Sequence, residues 1–583
     1  MLSCWMLILT LACHAWICAS SPGFLASGLT NSSEGVARAA FLDQLEELLG
    51  KGRRISTESR LNSITETLRA TFVAMPKTAH GRLSAASARY AMHRLFVQRH
   101  GWHVKGVAPT GGSWSPASAA LGFSEHLSPR IQDLLGEQFS GNDFDLDELA
   151  LLGATIEALI HSEAVGRLYA TYRLLEMDPE VPVSEEKAVD AVYMCLTAYL
   201  TGNNISRLSR EALRSTCKLV EEQFPQWVNT KTLIQETQRQ VAPTLQVLEF
   251  SDVELILELV SEKMGHRVDE GACQDIEDRL VALQDSIGSG RVRLSDFYSS
   301  HLEGEHFEFN ERPEYLRQLG VLDESDPSAP RIMIPNYLTM AGNCFNVSSY
   351  YDLCCIDLCE DLMDALERHI KAPQASPSEI VTILNSTESA YVPVGRTLSE
   401  SLMKKLSEVA EAHSGQVPLH GRLFAQWMHF AYPNECPYPH LSGTTKPVSE
   451  AQWLAETGTP PIATQDQMHS IINMPPSTHG VTGCDNSEEE GMCMWAPEEE
   501  LVDAVSWRTA QDVVPEPVPA QPAQVGARTV LRVCAFGAML ASSAMVMRNV
   551  VRQMREAIEE ANGGEASFVA FFLRNDKDPA HNL

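Results

Sequence analysis

The chain has 583 residues, a formal net charge of −31 and a hydrophobic content of 44%. The length allows several domains and the apolar share suits a globular core. Acidity this strong leaves little surface to neutralise phosphate, which excludes a nucleic-acid binder, while it favours solubility and loose cation binding. At the N-terminus, MLSCWMLILTLACHAWICASSPG holds an apolar run, Met6 to Ile17, of signal-peptide length and too short to span a bilayer. The small residues Cys18, Ala19, Ser20 and Ser21 follow it, and no Lys or Arg precedes it. This predicts a signal peptide over 1–20, with an uncleaved anchor as the alternative.

Apolar residues at three- and four-residue spacing predict a helical domain over 35–245. It opens with AFLDQLEELLG and SAASARYAMHRLFVQRHGW, is broken by the polar segment GVAPTGGSWSPAS, and resumes at Asp145 to Met177. Further helices are expected at Ser184 to Leu200, Ser209 to Phe224, Thr230 to Arg239 and Asp252 to Met264; SEEKAV and SREAL read as N-terminal caps. The string RHG in MHRLFVQRHGWH is found in histidine acid phosphatases, but His103 stands where those need Arg, and here the string ends a helix instead of following a strand. His93, His100 and His103 therefore read as groups at a helix C-terminus, where the macrodipole favours them.

Residues 246–310 predict an EF-hand-like helical pair around DSIGSGRVRLSDFY. With Asp285 at position 1 of a calcium loop, Ser289 falls at 5, Gly290 at 6, Val292 at 8 and Asp296 at 12. The glycine suits the loop's turn and Val292 its small β contact. Ile287 at position 3, the short Asp296, and Arg291 and Arg293 all oppose ligation. A degenerate helix-loop-helix is expected, with Asp285, Ser289 and Asp296 as weak calcium ligands and calcium as the only cofactor the frame allows.

A Cys-rich helical domain is expected over 311–474, then loop and a Pro-rich stalk over 475–526 that includes PEPVPAQPAQ. Strand signals are confined to RIMIP and SFVAFFL. HGRL occurs at His80 and again at His420, too short a string to make a repeat. The run from Val533 to Met547 is 15 residues long, which rises about 22 Å against a hydrocarbon core of ~30 Å. Snorkelling of Arg532 extends it back to Thr529. Arg548, Arg552 and Arg555 suit a cytosolic flank. The expectation is a transmembrane helix over 529–547 and a cytosolic tail over 548–583; if the run does not span, the protein is secreted or lumenal.

Outside the two apolar ends stand ten cysteines: Cys195, Cys217, Cys273, Cys344, Cys354, Cys355, Cys359, Cys436, Cys484 and Cys493. In an oxidising compartment an even set reads as disulfides. Cys195 and Cys217, on successive helices, are expected to staple a hairpin, and Cys484 and Cys493 flank an acidic loop. The adjacent Cys354 and Cys355 must reach different partners; connectivity is otherwise open. Asn31, Asn204, Asn346 and Asn385 head glycosylation sequons. His420, His429, Cys436 and His440 could supply four zinc ligands, but the spacing fits no standard finger, and a packed helix followed by a rigid loop is the competing reading.

The blocks HGRLSAASARYAMHRLFVQRHGWHVKG, ELALLGATIEALIHSEAVGRL, EYLRQLGVLDESDPSAPRIMIPNYLTMAGNCFNVSSYYDLCCIDLCEDLM and VPLHGRLFAQWMHFAYPNECPYPHLSGTT resemble a family of secreted or membrane proteins of dinoflagellates and other marine protists. That resemblance covers roughly His80 to Thr445. It implies organisation and location, with structural disulfides, and no activity. No nucleophile, metalloprotease or phosphate-loop motif is present. The reading is a mostly α, disulfide-bonded, membrane-tethered ectodomain acting in interaction or structure with protein partners still to be identified. The alternatives are a secreted or lumenal enzyme that leaves no short motif, and a weak calcium-responsive module.

Overall fold

The computed structural model describes residues 54–105, 107, 143–201, 205–223, 227, 229–243, 247–300, 307–345, 347–474, 492 and 494–502. The expected signal peptide, transmembrane helix and tail lie outside these residues, as do Asn31, Asn204, Asn346, Cys484 and Cys493; of the expected loop and stalk over 475–526 only 492 and 494–502 are described, and there Met492 is buried and Leu501 bridges Gly421. The described chain is mostly helical.

One local pattern recurs. A helix ends, the chain turns, one apolar residue enters a short antiparallel contact, and the next residue begins or caps a new helix. Helices α1 (Arg54–Ala74) and α2 (Ala85–His100) flank Leu83, which bridges Phe144 at the head of α3 (Leu146–Leu174). Ser84 caps α2 by accepting from Ser87 N at 3.2 Å, and Asp145 caps α3 in a reciprocal box with Glu148. Strand β2 (Val183–Ser184) leads into α4 (Glu185–Leu200); α5 (Arg210–Gln223) and α6 (Asn229–Val241) follow; β3 (Val247–Leu248) leads into α7 (Phe250–Val268). Val183 pairs Leu248.

The third instance is α8 (Gln274–Ala282), β4 (Arg291–Arg293), α9 (Leu294–Ser299), then α10 (Pro313–Gln318), β5 (Leu322–Asp323), β6 (Arg331–Met333) and α11 (Ile334–Leu338), with Val292 opposite Ile332. After β7 (Tyr351–Leu353) comes the fourth: α12 (Cys359–Ile370), β8 (Gln374–Ala375), α13 (Pro377–Ser386), α14 (Glu400–Ala412), β9 (Val417–Pro418) and α15 (Arg422–Ala431), with Ala375 opposite Val417. Helices α16 (Glu450–Thr457) and α17 (Gln465–Ile472) are the last of the described helices. The two HGRL strings are not equivalent in this scheme. Leu83 is the bridging residue of its unit, whereas the second string starts α15 after its strand has ended, and Gly421 bridges Leu501.

Apolar burial divides into three main cores. The first gathers α1 to α7 and takes in Phe345, Val347, Tyr350, Tyr351 and Leu353. The second holds α8 to α11 with Val448, Trp453 and Met468; the third holds α12 to α15. Helix α7 thus belongs to the first core, while β4 and β6, one on each side of residue 310, share the second. Helix α3 has the length and hydropathy of a membrane span, but 67% of its apolar window is buried here, among them Leu149, Ile156 and Leu168. It serves as the central helix of the first core.

The segment from Cys344 to Cys359 reaches all three cores. Cys344–Cys354 brackets β7, which pairs with β1 (Trp102–Val104) in the first core. Cys273–Cys355 joins the segment to the second core, and Cys359–Cys436 closes the third. Each bridge closing a long loop contributes about 2–4 kcal/mol. Cys354 and Cys355 do reach different partners. The expected Cys195–Cys217 staple is not formed: both are buried free thiols in the first core, and each meets a hydroxyl instead, Cys195 that of Thr171 and Cys217 that of Thr197.

Candidate functional site

The loop from Asp285 to Asp296 has the expected shape without the expected ligands. Gly290 adopts φ +66, and a Cβ there would lie 2.0 Å from Pro433 O, so glycine is required both for the turn and for the loop's approach to the third core. Asp285, however, is taken by a cation of the protein. Arg331 Nε donates to Asp285 Oδ2 at 2.9 Å, and in the paired loop Arg291 Nε donates to Asp323 Oδ2 at 2.7 Å. Ser289 Oγ donates to Asp285 Oδ1 at 2.7 Å, while Asp296 sits in α9 beside Ser295. Burial alone would raise the Asp323 carboxyl, but Arg291 and the hydrogen bonds from Ser325 outweigh it and hold it below the usual range. Guanidinium groups therefore supply positive charge in these loops.

Each of the four zinc-ligand candidates is engaged by a group other than a metal. Cys436 is in a disulfide. His420 Nε2 meets Glu367 Oε1 at 3.0 Å; His429 Nδ1 meets Cys436 O at 2.7 Å and its Nε2 meets Arg291 at 3.1 Å; His440 Nε2 meets Gly320 O at 2.8 Å. Burial, with Arg291 adjacent, pushes His429 down to about 3, so it is neutral at physiological pH. Among the described residues no three of His, Cys, Asp or Glu gather as metal ligands.

Of the three histidines read at a helix end, only His100 lies in the last turn of α2; His93 sits in mid-helix and His103 in β1. The helix stops at Gly101, and the His93 and His103 rings lie 5.3 Å apart, both pushed low by burial. His100 stacks on Trp102 and its Nε2 lies 2.9 Å from Glu157 Oε1. Sequence reasoning missed the neighbouring network. Buried Arg94 pairs with Glu360 at 2.6 Å and Glu367 at 3.5 Å, and Thr71 Oγ1 donates to Glu367 at 2.6 Å. This polar cluster joins α1 and α2 to α12, and its residues are up to 296 positions apart, beyond any short motif.

A second unforeseen feature is a small cleft open to solvent. It lies where a π-helical turn, Asp269–Cys273, links α7 to α8, and such turns are frequent at functional sites. The Cys273–Cys355 bridge lines it, together with Asp269, Glu277, Asp357, Asn434 and Glu435. Burial raises three of these carboxyls: Asp269 to about 6, with Glu270 and Asp361 adding to burial and His266 and the Ile356 amide opposing; Glu277 to about 7, with Asp269, Asp278 and Glu435 adding and the Tyr391 hydroxyl opposing; Asp357 to about 8, with Glu360 and Asp361 adding and the Cys359 amide and Arg94 opposing. Glu277 Oε1, Asn434 Oδ1 and Glu435 Oε2 are buried without a hydrogen-bond partner.

Comparison of the chain with protein-family profiles, characterised proteins and solved structures finds no match.

Proposed function

We propose that the chain is an extracytoplasmic interaction or structural protein, tethered through residues 529–547, whose paired helix-loop-helix units are EF-hand-like in geometry and work without calcium. One observation carries this reading: the crossed ion pairs Asp285–Arg331 and Asp323–Arg291 in the paired loops, with the register Val292↔Ile332 between them. A loop pair closed by guanidinium groups keeps one shape whatever the calcium concentration, which suits a scaffold and not a sensor. The disulfides are compatible with an oxidising secretory compartment. Calcium titration by calorimetry on the purified full chain tests the first part; millimolar binding with a change in near-ultraviolet circular dichroism defeats it. Carbonate extraction and glycosidase digestion of the expressed chain test the second; a soluble, unglycosylated cytosolic product defeats it.

A further inference from the structure

We propose that the cleft between the π-helical turn and the Asn434–Glu435 turn is a binding site for a small organic cation bearing a primary ammonium group. The argument starts from hydrogen-bond accounting. A buried carboxylate or amide oxygen left without a donor costs about 1–3 kcal/mol, so native proteins rarely keep one. Three such oxygens, on Glu277, Asn434 and Glu435, belong to residues lining a single cleft. These side chains are 5%, 5% and 2% exposed. A primary ammonium carries three N–H donors and no acceptor, which matches three acceptors with no donor.

Charge selects the same ligand. Asp269, Glu277, Asp357 and Glu435 line the cleft with no Lys or Arg among the lining residues. Glu435 is already engaged on its other oxygen, which accepts from Ser389 Oγ and from Tyr391 N at 2.8 Å, so the turn carrying its free oxygen is held in place. Asp269 Oδ1 accepts from Ile356 N at 2.8 Å and Asp357 Oδ1 from Cys359 N at 2.9 Å, which fixes the opposite wall. The disulfide between Cys273 and Cys355 ties that wall to the π-helical turn. The cleft is open to solvent and has room for a group about the size of water, so it takes the ammonium head and leaves the rest of the ligand on its open side.

Binding drives ionisation of carboxyls that are partly protonated near neutrality, so it releases protons. The test uses butylammonium chloride as probe, with butan-1-ol as its neutral counterpart, on the full chain in detergent at pH 7. Affinities come from calorimetry in two buffers of different ionisation enthalpy. The expected result is saturable butylammonium binding with proton release, butan-1-ol at least about tenfold weaker, and a loss of about tenfold or more in E277Q. If E277Q does not fold, E435Q carries the same expectation, because glutamine keeps the acceptor facing Ser389 and Tyr391. Equal binding of alcohol and ammonium, no saturation by tens of millimolar butylammonium, or unchanged affinity in a folded variant overturns the proposal.

Discussion

Asp285 accepts a hydrogen bond from Arg331 Nε at 2.9 Å, so the first residue of one loop is neutralised by the strand of its partner. The reciprocal pair, Asp323 with Arg291, is better buried: Asp323 is 5% exposed as a side chain against 15% for Asp285. The difference sets an order of effects. Arg291→Gln strands a buried carboxylate and costs about 3 kcal/mol. Arg331→Gln costs about 0.5–1 kcal/mol, since water reaches Asp285. Urea denaturation of both variants checks the ranking; equal losses would show that burial does not govern these pairs.

The same pair has an acid signature. The folded carboxyl of Asp323 titrates below its ordinary value of 3.8, so its contribution is fully present above that value and is lost as pH falls through the lower folded one. Arg291→Gln removes the cation, so the stability difference between wild type and variant is constant from pH 5 to 8 and shrinks below about 4. Melting temperatures of the two proteins from pH 3 to 8 measure this.

Helices α2 and α7 touch through backbone. A Cβ on Gly265 would lie 2.1 Å from His100 O, and on Gly101, whose φ is +65, 2.9 Å from Gly265 C. Neither contact is with a side chain that could swing away. Gly265→Ala is therefore expected to cost about 2–3 kcal/mol by forcing the helices apart. Gly166→Ala, with nothing within 4 Å, is the control in α3 and is expected to be neutral or stabilising. Thermal unfolding of both decides it.

Much of the helical frame was legible in the residues because caps and apolar spacing are local. The stretch expected over Ser184 to Leu200 is α4 at Glu185–Leu200; of the two expected caps, Ser184 makes no side-chain cap bond, while Ser209 Oγ accepts from Ala212 N at 3.1 Å at the head of α5. RIMIP was read as a strand and supplies β6. Gly290 and Val292 were assigned their loop roles correctly, since φ and β contact follow from residue type within a few positions. The ion pairs of the same loop, Arg291–Asp323 and Asp285–Arg331, span 32 and 46 residues in sequence, which spacing cannot show. The histidines of the zinc reading are engaged elsewhere: His420 by Glu367 and His440 by Gly320 O, both far away in sequence, and His429 by Cys436 O, seven residues on. The cleft left no motif because its acids come from α8, the π-helical turn, the 355–358 segment and the 434–435 turn.

Cysteine chemistry separates two populations. Cys195 and Cys217 are buried, and burial raises both thiols, Cys217 to about 11. Thiolate is the reactive form, so neither should react with iodoacetamide in the native protein at pH 8, and both should react once it is unfolded. Mass mapping without reduction should place Cys273 with Cys355, Cys344 with Cys354 and Cys359 with Cys436. A peptide linking Cys195 to Cys217 would contradict the free thiols.

Asp357 shows how the acidic cleft bears on stability. Burial lifts its carboxyl from 3.8 to about 8, so the folded state holds a proton that the unfolded chain has released. The sign is opposite to that of Asp323: no cost below the unfolded value, then a growing cost as pH rises through the interval up to the folded value, and a constant cost above it. Asp357→Asn keeps the acceptor for the Cys359 amide, 2.9 Å away, and carries no charge. The variant is expected to match wild type near pH 4 and to exceed it by about 1–3 kcal/mol at pH 9, a range that allows for solvent entering the cleft. Denaturation at the two pH values checks it. A gain that is already full at pH 4 would mean that the substitution acts through packing, and that Asp357 ionises in the folded protein as easily as in the unfolded one.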